Sequence, residues 1–312
     1  MQLIKNEWIK IWSQKNAWAM LIILIGILGL VAGLNKYFDP DQSTAEKRIA
    51  ANEETMKFYD EMLAMGDLAV EDKAYYEEQK LIAQYRIDND LKSEDATTFN
   101  SHMDMSTMTI TMMIGIFTVV IAAGIVSSEF GTGTIKMLLT RPVARWKILL
   151  SKLISSILYG FTLLIGGLAF AALLGFVLFG SESSPLLTVV NGAVVEQEVA
   201  STFLESLLYS CASILMTIFF AFMIGSIFGS STLAVGLSLF ILLMGTTVTM
   251  FIAKYEFAKY IWFANDLSQY APGSSPIIPD LTINFSLIVN VVYAIIFLGI
   301  TFVYFMKRDI TA

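Results

Sequence analysis

The residues able to do chemistry are few. The 312-residue chain holds one histidine, His102, and one cysteine, Cys211, which excludes a histidine-rich metal site and an intrachain disulfide. It contains no H-E-x-x-H pair, no G-x-S-x-G elbow and no G-x-x-x-x-G-K-[ST] loop, the patterns of zinc proteases, serine hydrolases and P-loop ATPases. No catalytic residue, metal ligand or directly bound cofactor is assigned. The remaining reactive groups are acids and bases at the edges of apolar stretches. Asp104, Glu129, Glu205 and Asp280 are the acids, and Lys136, Arg141, Arg145, Lys147 and Lys152 follow Glu129 as a basic run. An ionisable group in mid-span marks a proton relay, an ion site or an intramembrane catalyst. None sits there, which argues against an ion-coupled transporter.

Positioning these edge charges falls to long apolar elements. The chain is 56% hydrophobic and 15% charged, against roughly 25% charged in a soluble domain. Five stretches lack any Asp, Glu, Lys or Arg: 16–35, 105–128, 153–181, 206–253 and 281–306. About 20 helical residues cross a bilayer, so four of these are single spans. The fourth stretch is too long for one crossing, and Gly229-Ser230-Ser231 divides it into 206–228 and 232–253. The fold class is therefore an all-α integral membrane protein with six transmembrane helices. Segment 129–152 carries five bases against Glu129 alone, whereas 182–205 carries four acids and no base. The positive-inside rule places the first in the cytoplasm and the second outside. Residues 1–15 and the tail from Lys307 are also basic, so both termini fall in the cytoplasm, and an even number of spans likewise puts them on one side. The uncharged stretch of span 1 exceeds the apolar core of a signal peptide, so it reads as an uncleaved span. The expected location is the plasma membrane.

Before and between the spans lie four segments of different character. In 1–15, Ile4, Trp8, Ile11 and Trp12 fall at helical spacing while Lys5, Glu7, Lys10 and Lys15 take other faces, as in an elbow helix in the headgroup plane. The external segment 36–104 has 17 acids and 8 bases. Its stripe Ile49, Met56, Tyr59 and Leu63, a break at Gly66-Asp67, and a second stripe from Tyr76 through Ala83 to Ile87 predict a helical hairpin. Segment 182–205 reads as an external loop. Segment 254–280 is rich in aromatics and ends in prolines, predicting short helices that re-enter the outer interface, with Tyr260 and Trp262, like Trp8 and Trp12, as interface residues. A net charge of -7 argues against nucleic acid as a partner.

The cytoplasmic segment 129–152 is the one large inward surface. Gly131 and Gly133 open it with a turn, Thr132 or Thr134 is placed to cap a short helix over 135–139, and Pro142 ends that helix. A second helix is expected from about Val143, with Arg145, Lys147 and Lys152 at the headgroups. Such a short helix at the membrane surface offers a mechanical contact for a partner.

In Glu129, Gly131-Thr132, Gly133-Thr134, Leu138-Leu139, Arg141-Pro142-Val143-Ala144-Arg145 and Lys152 the chain resembles the permease subunits of ABC-2 type ABC transporters. Ala144 stands where that family commonly has a hydroxyl, and Lys136 where it often has an acid. The order of parts is also similar, and Asn265-Asp266-Leu267-Ser268-Gln269-Tyr270 looks like the bacitracin-resistance-type permeases of Gram-positive bacteria. The resemblance implies a homodimeric permease paired with two copies of a cytoplasmic ABC ATPase that binds the ATP and magnesium. In that scheme 129–145 is a coupling helix. Glu129, Arg141 and Arg145 are its polar contacts, Ile135, Met137 and Leu138 its apolar ones, and Gly131 and Thr132 form its turn. Efflux of an amphipathic, lipid-linked or peptide-like compound, as in antimicrobial resistance, is the implied activity. A peptide-sensing immunity receptor and a structural membrane scaffold remain open alternatives.

Overall fold

The computed structural model describes residues 2–65, 70–135, 143–181, 184–190, 192–271, 274, 276–279 and 281–307. Its elements run α1 (Gln2–Trp12), α2 (Lys15–Phe38), α3 (Ala45–Ala64), α4 (Val70–Asp88), α5 (Phe99–Gly131), α6 (Arg145–Phe179), β1 (Leu186–Val190), β2 (Ala193–Gln197), α7 (Val199–Ile227), α8 (Ser231–Ile252) and α9 (Ile283–Lys307). Among the described residues six helices, α2 and α5 to α9, are long and apolar enough to cross a membrane. This is a multi-pass membrane protein. Helices α5 and α6, of 33 and 35 residues, overrun the uncharged stretches that predicted them. At about 1.5 Å per residue they are near 50 Å long, so their charged ends continue the helix past a hydrocarbon layer about 30 Å thick.

The chain folds as two compact units, one of residues 27–106 and 169–203, the other of 1–26, 107–168 and 204–312. In the first, α3 and α4 form the expected hairpin, and Gly66-Asp67 lies outside the described residues. Thr44 caps α3 through the Lys47 N–H. The hairpin's base is tied by polar contacts. Gln42 exchanges two hydrogen bonds with Ser93 at 2.6 and 2.8 Å, buried Asn52 donates to the Leu91 carbonyl at 3.0 Å, and Tyr59 donates to Glu94 at 2.7 Å. Arg48 pairs with Asp90 at 2.6 Å and holds its carboxyl below the ordinary range. His102 is buried between helical segments of this unit, its Nε2 3.1 Å from the Ala171 carbonyl and its ring against Phe179.

Segment 182–205 is not a plain loop. It carries an antiparallel hairpin in the register Val190↔Ala193 to Leu186↔Gln197, and Tyr85 of α4 donates to Glu196 of β2 at 3.2 Å. Asn191-Gly192 between two β-branched runs is the usual signal for a two-residue hairpin turn. Gly192 has φ +79°, where a side chain is disfavoured.

In the second unit α5 and α7 cross closely. A Cβ on Gly225 would lie 2.7 Å from the Ala123 Cα and 2.8 Å from its carbonyl carbon, so the two backbones touch without side chains between them. The Gly229-Ser230-Ser231 break expected from sequence separates α7 from α8. After α8, three 3₁₀ turns, Glu256–Tyr260, Trp262–Asn265 and Leu267–Tyr270, supply the expected short helices. They are fixed to α9 by buried Asn265, whose carbonyl accepts from Asn290 at 2.6 Å and whose Oδ1 accepts from Ser286 at 2.8 Å. Tyr270 meets Ser286 at 2.8 Å, and Asp266 accepts from Ser213 of α7 at 2.8 Å. Trp262, expected at the membrane interface, is instead buried among Phe220, Phe263 and Phe297. Burying the whole indole in an aromatic cluster removes more apolar surface than holding it at an interface. Tyr260 does stay exposed.

Phe263 lies over Gly245 of α8 so closely that any Cβ there would overlap its ring. Gly245→Val is expected to cost about 1–3 kcal/mol by overpacking, and Gly245→Val with Phe263→Ala should recover part of the loss. Thermal unfolding of the purified variants by intrinsic fluorescence checks both statements.

Candidate functional site

The segment joining α5 to α6 is rooted in a buried ion cluster. Lys152, fully buried in the third turn of α6, donates to Glu129 at 2.6 Å and to Glu7 at 2.9 Å. Lys10 adds a second ammonium to the same Glu129 oxygen at 2.6 Å. The elements dictate this arrangement. Glu129 stands in the last turn of α5 (Phe99–Gly131), where the helix dipole disfavours a negative charge, and its side chain is only 2% exposed. Two cations meet that demand. Glu7 reaches Lys152 because α1 buries the face that holds Glu7 and Ile11. Ser155 donates to the Ile4 carbonyl at 3.3 Å, and Trp12 packs on Tyr159 at 5.5 Å between centroids. Residues 152, 155 and 159 thus form one face of α6 that receives the elbow. The second oxygens of Glu7 and Glu129 are buried without a hydrogen-bond partner.

This corrects several expectations. Glu7, read on the polar face of the elbow, points inward. Lys152, read at the headgroups, is buried, because two carboxylates compensate its desolvation. Glu129, read as an exposed contact, is an internal ion partner. Trp8 and Trp12 are half-buried and packed on each other, with Trp12 also against Trp18. The signal for the cluster was a lone acid among elbow lysines and a lysine directly before the uncharged run 153–181, but their pairing spans 145 positions.

From this root the connector leaves through an exposed turn. The Thr132 N–H and hydroxyl both donate to the Ser128 carbonyl, at 2.9 and 2.8 Å. Thr132 therefore closes α5. Gly133 turns at φ +72°. A Cβ on Gly131 would meet the Gly229 carbonyl at 3.3 Å, so the α7–α8 turn lies against the start of the connector. Ile135 is buried. Met137, Leu138 and Arg141 lie outside the described residues. Arg145 is exposed at the start of α6 and donates to the Met306 carbonyl at 3.4 Å, at the end of α9 where free carbonyls attract a cation. Phe130 meets Phe305 nearby, 6.1 Å between centroids. The ends of α1, α5, α6 and α9 are thus bound to the connector's two ends.

A family model described as a protein of unknown function (DUF2705) matches residues 74–311. The chain belongs to the DUF2705 family. It is 40% identical over 99% of both chains to the uncharacterized protein YhcI of Bacillus subtilis (strain 168). It is also 32% identical to the uncharacterized membrane protein YdbK of the same organism, over 65% of this chain and 80% of that one. The DUF2705 match contains Glu129 and Lys152 but begins after Glu7 and Lys10, whereas the likeness to YhcI takes in nearly the whole length.

Proposed function

We propose that this chain is the membrane permease subunit of an ABC-2 type transporter, driven by a separate cytoplasmic ABC ATPase and completed by a second permease copy. The observation that carries the reading is the connector between α5 and α6, an exposed turn anchored at a buried ion cluster shared with the elbow helix. A push delivered to such a turn is not absorbed locally. Through Glu129 it moves α5, through Lys152 it moves α6, and through Glu7 it moves α1, which leads directly into α2. ATP and Mg²⁺ belong to the partner, and ATP-driven closure of two ATPases would drive two such connectors together.

The charge bias of the loops supports a cytoplasmic connector and cytoplasmic termini in a plasma-membrane protein, where an ATPase can reach the connector. Thr132, Thr134 and Arg145 are exposed for that contact. The spans carry no charge in their middles, which suits export of an amphipathic, lipid-linked or peptide-like compound, since a strongly charged cargo would meet no compensating group. A photoreactive residue replacing Thr132, illuminated in native membranes, is expected to crosslink to an ABC ATPase. The same residue replacing Tyr255 is expected not to. Equal crosslinking from both positions, or none from position 132, counts against the reading.

A further inference from the structure

At the other end of this unit, where α8 ends and α9 begins, a half-polar groove of about 460 Å³ opens between the first 3₁₀ turn and the segment leading into α9. Lys254 and Lys259 line it, with Thr282 as a hydroxyl and Ile278, Leu281 and Phe285 as the apolar wall. Each lysine lies over the ring of the tyrosine that follows it, Tyr255 at 5.2 Å and Tyr260 at 5.3 Å. Neither has a carboxylate partner within salt-bridge distance among the described residues. Positive charge is disfavoured beside spans on the external side. Two lysines without carboxylate partners at this level therefore ask for an anion. Among the described residues that line the groove, one opposing group is present, Glu256.

We propose that this groove binds the headgroup of an anionic phospholipid of the outer leaflet, a single phosphodiester between Lys254 and Lys259. Thr282 donates to a phosphate oxygen, and the acyl chains descend past Ile278, Leu281 and Phe285. The rings of Tyr255 and Tyr260 hold the two lysine stems at headgroup depth, as amphipathic aromatics do at a membrane interface. Glu256 limits the site to lipids of low negative charge. The leaflet rests on the orientation proposed above. The binding itself does not depend on an ATPase, so the two readings fail separately.

The test is native mass spectrometry of the full chain released from vesicles of equal phosphatidylglycerol and phosphatidylcholine. Wild-type protein should retain phosphatidylglycerol over phosphatidylcholine. Lys254→Gln with Lys259→Gln should lower that preference by about thirtyfold, from roughly fivefold per lysine at a membrane surface. Glu256→Gln should raise it, and Lys307→Gln, at the far end of α9, should leave it unchanged. Both groove lysines are at the surface, and an unchanged gel-filtration profile confirms that the double variant folds. Equal lipid retention by wild type and double variant overturns the proposal. So does displacement of the lipid by millimolar glycerol phosphate, which would make the groove a site for a soluble phosphate.

Discussion

Lys152→Met is expected to prevent stable folding, or to cost about 3–5 kcal/mol where folding persists, the range for removing one partner of a buried ion pair. Lys152 is fully buried and serves Glu7 and Glu129 together. Without it Glu7 loses its cation and Glu129 keeps only Lys10, whose side chain is 47% exposed. The three-way substitution Glu7→Leu, Glu129→Leu and Lys152→Met should restore stability, since apolar side chains of similar volume often replace a buried ion cluster without loss. Lys10→Ala should cost less than about 1 kcal/mol, as for a solvent-screened pair. Melting temperatures in one detergent rank the variants. If Lys152→Met melts with the wild type, the cluster does not hold the elbow. If the apolar triple is stable yet loses stimulation of ATP hydrolysis, the ions serve in transmission and not only in folding.

Gly225→Val should disrupt the crossing of α5 and α7. At Gly225 even a methyl group would overlap the Ala123 backbone, and backbone on both sides leaves no flexible side chain to yield. The helices must separate, and these two are the most buried of the six spans, at 56% each against 11% for α8. The expected cost is about 3 kcal/mol, the upper end for overpacking a core. Gly225→Ala should already cost a large part of it. Gly236→Ala, in open space on α8, should be nearly neutral. Gel filtration of detergent-solubilised protein before and after a heat step separates these outcomes, and a wild-type profile for Gly225→Val would contradict the close crossing.

The six spans were legible because bilayer thickness fixes a minimum length of uncharged helix, a constraint that acts on each segment alone. A helix at the start of the chain, the break at Gly229-Ser230-Ser231 and the short helices after α8 are legible for the same local reasons. The β-hairpin is signalled locally by Asn191-Gly192, but the four acids of 182–205 fit an external loop equally well. The ion cluster was not legible as a unit. Glu7, Glu129 and Lys152 each looked like an ordinary span-edge charge, and only tertiary packing of the elbow against α6 brings them within hydrogen-bond distance. Trp262 shows the opposite error, where an aromatic of interfacial type finds better burial between Phe220 and Phe297.

The proposed docking of an ATPase on the connector between α5 and α6 is open to experiment. Its most direct test is affinity purification of the tagged protein from native membranes in mild detergent, beside a variant carrying Arg141→Glu and Arg145→Glu. About one ABC ATPase per permease is expected with the wild type, lost from the variant while its gel-filtration profile is unchanged. Wild-type protein that purifies without any ATPase, even after crosslinking, would contradict it.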